Sequence, residues 1–202
     1  LGLGRVTVGA FLALYIIVYG QMQAFTPQLV LNPLKQSPPN KYVEILWGYF
    51  NCVPPLLLGL LVLLVPFFQD KERDQTGPMT GVMVAGIAVF AILFAINSSI
   101  HSYLVVRYAE GNKVAQSVGF YYMANAGGRL MGTIVSGALY SYVDQKFATT
   151  GIGVCFVAGA ASSLAATLLT YKIRDDAAGL RCGSFACIGA EEEGPVAVGS
   201  ED

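Results

Sequence analysis

Charged residues cut this chain into long apolar blocks. Residues 6–34 lie between Arg5 and Lys35, 45–69 between Glu44 and Asp70, and 75–106 between Asp74 and Arg107. The run 114–143 carries one charge, Arg129, and 147–171 lies between Lys146 and Lys172. Each block exceeds the roughly 20 residues that a helix needs to cross about 30 Å of hydrocarbon. Strands fit poorly, because barrel strands alternate in period two over only about 9–11 residues. LLLGLLVLLVPFF (56–68) is instead apolar on every face. The pattern predicts five transmembrane helices, near 7–31, 44–68, 79–108, 117–142 and 150–171. The third block is read as one long helix, since two spans would need about 40 residues. The expected class is an all-α polytopic membrane protein.

Composition agrees. Of 202 residues, 54% are hydrophobic and 12% charged, where soluble domains carry roughly 25% charged. Loop charge sets orientation through the cytoplasmic excess of Lys and Arg. One side collects Lys35, Lys41, Arg107, Lys113, Lys172, Arg174 and Arg181, and the other Arg5, Lys71, Arg73 and Lys146. The richer side holds the C-terminus, which is therefore expected in the cytoplasm, with Leu1 outside. A polytopic chain starting outside without a signal peptide implies helices upstream of Leu1. Residues 1–174 are read as the helix bundle and 175–202 as a disordered acidic tail, with Glu191, Glu192 and Glu193 in a row. Cys52 and Cys155 fall in apolar runs, while Cys182 and Cys187 lack further Cys or His to complete a zinc site. No metal, cofactor or nucleic-acid partner is expected. No hydrolase, HExxH or phosphate-loop pattern marks an enzyme either.

Candidate chemistry lies inside the spans. Helical spacing puts Tyr122, Asn125, Arg129, Thr133 and Ser136 on one face of the fourth helix. An arginine at mid-bilayer costs roughly 2.5–3.5 kcal/mol on insertion scales, so it should face the bundle interior or a water-filled cavity. Its planar fork of donors suits a carboxylate or phosphate, and a structural ion pair or carbonyl clamp is the alternative. None of the five blocks contains an internal Asp or Glu to pair with it. Gly128, Gly132 and Ser136 form a small-residue ridge that suits close helix packing. In INSSIHSY (96–103), Asn97, Ser98 and His101 share a face, and His101 is the only histidine of the chain. It is either a proton carrier or a hydrogen-bonded core residue. Tyr15, Tyr19, Gln23 and Thr26 share a face of the first helix, with Pro27 expected to kink or end it. Asn51 precedes Pro54 and Pro55, where a kink or break is expected. Polar faces on several spans describe the solvated cavity of a transporter.

The stretch AINSSIHSYLVVRYAEGNKVAQSVGFYYMANAGGRLMGTIVSGALY (95–140) resembles the end of the ArsJ-type organoarsenical exporters of the major facilitator superfamily. FLALYIIVYGQMQAFTPQLVL (11–31) resembles that family's eighth helix, and the likeness spans about residues 5–172. The resemblance implies the C-terminal portion, helices eight to twelve, of a twelve-helix fold in a plasma (inner) membrane, with an N-terminal half as partner. It implies export of 1-arseno-3-phosphoglycerate, made by glyceraldehyde-3-phosphate dehydrogenase acting with arsenate, and hence arsenate resistance. Arg129 would then bind the small anionic substrate, helped by Asn125, Tyr122 and His101. Asn97, Tyr19 and Gln23 complete the candidate set. His101 is the proton carrier this portion offers, with a coupling carboxylate expected in the other half.

Overall fold

The computed structural model describes residues 4–64, 76–109, 113–147, 150–173, 180–182 and 185–188. Five long helices follow one another: α1 (Arg5–Thr26), α2 (Lys41–Leu64), α3 (Thr76–Arg107), α4 (Val114–Phe147) and α5 (Thr150–Thr170). α3 is one unbroken helix, as its length required, and its 32 residues extend about 48 Å at 1.5 Å per residue. Four helical stretches are long and apolar enough to cross a membrane: Arg5–Leu31, Lys41–Leu64, Thr80–Arg107 and Gly151–Thr170. α4 is not among them. It has the length, but Gln116, Asn125, Arg129, Thr133 and a series of glycines dilute its apolarity.

Proline acts differently at its two sites. α1 ends at Thr26, and Pro27–Leu31 continue as a π-helical turn. Pro27 has no N–H to continue the ladder, and the wider turn closes with the Asn32 amide on the Pro27 carbonyl at 2.9 Å. α2, by contrast, runs through Pro54 and Pro55 without a break. The cost there is two missing amide donors, for the carbonyls of Phe50 and Asn51. The start of α2 is capped by Asn40, whose side-chain oxygen accepts from the amides of Tyr42 and Val43 at 3.0 and 3.1 Å.

Two apolar clusters hold the bundle. Leu31, Val43, Ile96, Ile100 and Leu104 join the end of α1 to the start of α2 and the end of α3. Leu58, Val62 and Met83 join the other ends of α2 and α3, with Ile152 and Phe156 of α5 packed against them. α2 and α5 approach most closely, because their glycines leave room for the opposite backbone. A Cβ on Gly59 would lie 3.0 Å from the Gly153 carbonyl oxygen and 3.1 Å from the Val157 nitrogen. The ridge expected on α4 is different: a Cβ added to Gly128 or Gly132 would meet no described atom of another helix within 4 Å.

Electrostatic ties close one end of the bundle. The Lys41 ammonium donates to the Ile173 carbonyl at 2.9 Å, and Arg107 donates to the Pro39 carbonyl at 2.6 Å. The first α2 turn, the end of α3 and the end of α5 therefore share one end. Within the tail, β1 (Leu180–Cys182) and β2 (Phe185–Ile188) pair antiparallel. The rest of the tail, including Glu191 to Glu193, lies outside the described residues.

Gly59→Leu must push backbone against backbone. It is expected to destabilise the bundle by about 1–3 kcal/mol or more, read as a lower unfolding temperature in detergent. Gly132→Ala, in open space, should leave that temperature unchanged.

Candidate functional site

A cavity of about 700 Å³ lies among α2, α3, α4 and α5, within the 300–1,000 Å³ range of small-molecule sites. Its lining changes character along the bundle. At the end closed by Lys41 and Arg107 it presents Glu44, His101, Tyr121, Thr167 and Thr170. Toward the opposite end stand Leu58, Ile87, Phe90 and Phe156. Asn51, Asn97 and Asn125 also line it.

The decisive pair is Glu44 with His101. The charge pattern starts the second helix near residue 44 and leaves the apolar blocks without an internal acid. α2 in fact begins three residues earlier, at Lys41, which draws Glu44 into its first turn. The carboxylate is 6% exposed, and Oε1 lies 2.9 Å from Nδ1 of His101. An acid in the first turn is favoured by the positive end of the helix dipole. The other Glu44 oxygen, Oε2, is buried without a hydrogen-bond partner, as are Oδ1 of Asn51 and Oδ1 of Asn97. The ring of His101 lies against Tyr121, with centroids 5.4 Å apart.

Three α5 hydroxyls of the lining are already committed. Ser162, Thr167 and Thr170 donate to the carbonyls of Ala158, Ser163 and Ala166 of their own helix. Ser163 accepts from Nδ2 of Asn51 at 3.2 Å, tying α2 to α5. The three committed α5 hydroxyls thus offer lone pairs rather than hydrogens.

The structure brings together only part of the expected residue set. Asn97, His101 and Asn125 line the cavity. Tyr19 sits behind it, its hydroxyl donating to Ser98 at 3.0 Å and its ring stacked on Phe94 at 5.5 Å. Gln23 stands on α1 outside the lining. Tyr122 is 65% exposed, packed beside Tyr121. Arg129 is exposed on α4 and does not line the cavity. Its guanidinium makes no hydrogen bond or ion pair with another described residue, whereas its carbonyl accepts from Thr133. Thr133 and Ser136 therefore satisfy themselves on their own helix.

Glu44, Asn51, Tyr121 and Thr170 are cavity residues outside the expected set. The signal for Glu44 was available: Asn40 four residues earlier is an N-cap residue that starts the helix at Lys41. Cys52 and Cys155 are free thiols, as expected of cysteines in apolar runs. Among the described residues no group of His, Cys, Asp and Glu could hold a metal.

No protein-family model, curated protein or solved structure matches the chain.

Tyr19→Phe removes the hydrogen bond that joins α1 to α3. It should cost about 0.5–1.5 kcal/mol, measured by thermal unfolding in detergent, and leave the Glu44–His101 pair in place.

Proposed function

We propose that this protein is part of a membrane transporter that moves a small organic anion by alternating access. The observation that carries this reading is the unpaired guanidinium of Arg129. It stands 15 residues from the start of α4 and 18 from its end, about 22 and 27 Å along the axis at 1.5 Å per residue. A cation at that depth needs an anion, a water-filled path or another protein surface. The low apolarity of α4 supports a path over lipid. Bidentate donation from Arg129 to a carboxylate, phosphate or arsenate oxygen is the recognition step. The cavity among α2 to α5 supplies internal space for the two halves of an alternating-access cycle to rearrange around.

The resemblance to organoarsenical exporters narrows the substrate to 1-arseno-3-phosphoglycerate, supplied by glyceraldehyde-3-phosphate dehydrogenase in the presence of arsenate. In this reading the protein sits in the plasma (inner) membrane, completed by an N-terminal half. The cationic loop ends with Lys35, Lys41 and Arg107 then lie on the cytoplasmic side with the C-terminus.

The test is uptake into everted membrane vesicles containing the protein, with the arsenylated substrate generated in the assay by the dehydrogenase. Saturable uptake is expected from the wild type, and at least a tenfold loss from Arg129→Gln at equal abundance. Uptake retained by the variant would remove Arg129 from the substrate path. No uptake by either, with both abundant, would overturn this substrate. Parallel loss of abundance and uptake would favour a scaffolding role for the polar faces.

A further inference from the structure

Glu44 and His101 are not explained by anion recognition. They lie on the cavity, away from Arg129, and present a negative rather than a positive group. We propose that they form a reversible proton-binding site opening on the cavity, with Nε2 of His101 as the atom that takes up and releases the proton. The inference deepens the transport reading, on which it rests only for the use to which the proton is put.

Hydrogen-bond chemistry assigns the atoms. An ionised carboxylate can only accept, so Nδ1, 2.9 Å from Oε1 of Glu44, carries a hydrogen and donates it. Neutral imidazole has one N–H, which leaves Nε2 bare and basic. Loading adds one proton to Nε2; the Nδ1–H bond to Glu44 persists, and the pair changes from net negative to net neutral. Release returns that proton to the cavity and breaks no other bond. The His101 side chain is 46% exposed and the Glu44 side chain 7%. The imidazole can thus exchange protons with the cavity while the carboxylate that orients it stays shielded.

The surroundings favour a positive charge at this point. Glu44, Asn51 and Asn97, which line the cavity, each bury an oxygen that has no hydrogen-bond partner, and Asn97 stands one helical turn before His101. The threonines that α5 brings, Thr167 and Thr170, have turned their hydrogens onto backbone carbonyls. From α4 the group against the imidazole is the Tyr121 phenol. α1 reaches this face through Tyr19 and Ser98. Of the cations at this end, which include Lys35 and Lys172, Lys41 of α2 and Arg107 of α3 are engaged by the carbonyls of Ile173 and Pro39. Glu44 is the one carboxylate among the lining residues. With the anion on α4 and the proton between α2 and α3, the two ligands occupy separate surfaces. That arrangement allows proton movement to drive anion movement.

His101 is the only histidine in the chain, so ¹⁵N-histidine labelling reports this site without assignment. The experiment is ¹⁵N NMR of the labelled protein in lipid nanodiscs, titrated from about pH 8 to pH 5. Nδ1 is expected to stay protonated throughout, and Nε2 to pass from bare to protonated as pH falls. Glu44→Ala should move the neutral-form hydrogen from Nδ1 to Nε2. A wild-type ring with its neutral hydrogen on Nε2 would overturn the proposal, and so would a ring that does not titrate. If Glu44→Ala fails to fold, the wild-type spectra alone decide. No anion is present, so the result is independent of the vesicle assay.

Discussion

The close approach of α2 and α5 is the constraint around which the bundle is arranged. Gly59 and Gly153 face each other, and a Cβ on Gly153 would sit 3.3 Å from the Gly59 carbonyl oxygen. Small residues permit such contact, and in a membrane dispersion between backbones replaces much of the hydrophobic drive available in water. Gly48 extends the contact toward the other end, where its missing Cβ leaves space for Thr167. α3 packs on α2 through the two apolar clusters, and α4 leans on α5. The space left among these four helices is the cavity. Its floor and polar end are thus set by how near two backbones can come.

That packing gives the polar groups unequal fates. Serine and threonine hydroxyls on α4 and α5 return to carbonyls one turn back, which satisfies them without a partner helix. Asparagine and glutamate side chains have two polar atoms and cannot close on themselves so readily. Asn51 reaches Ser163 with its nitrogen, and Glu44 reaches His101 with one oxygen. The remaining oxygen of each is buried without a hydrogen-bond partner. An unsatisfied buried acceptor is unfavourable, and both residues stand at the cavity lining. Glu44 and Arg129, unlike charges on α2 and α4, stay apart: Glu44 pairs with His101 of α3 and lines the cavity, and Arg129 does not line it.

Much of the fold was legible because helix length and apolarity are local properties. The blocks between charges located all five helices, and the length of the third block argued for one span rather than two, which α3 is. Boundaries were less legible where capping overrode the charge pattern. Asn40 starts α2 at Lys41, so an acid expected at the very start of the helix lies within its first turn. Proline was an unequal guide: Pro27 ends α1, while α2 absorbs Pro54 and Pro55 because neighbouring helices hold it in place. The site was half visible. Periodicity put Asn97 with His101 and singled out Asn125, and all three line the cavity. It also put Arg129 with Asn125, but a helical face spans a broad arc, and only part of that arc meets the cavity.

The sequence by itself determined that this is a chain of apolar helices. It did so because residue types read along a single axis suffice for that. For the same reason it placed the single histidine, and one arginine far from any helix end, among those helices. Only the tertiary structure decided which polar residues meet. Glu44 and His101 are 57 residues apart and Asn51 and Ser163 are 112 apart. No periodicity within one helix encodes which face of another it will touch. That choice is made by glycine contacts and apolar clusters acting between helices, and from it the site follows.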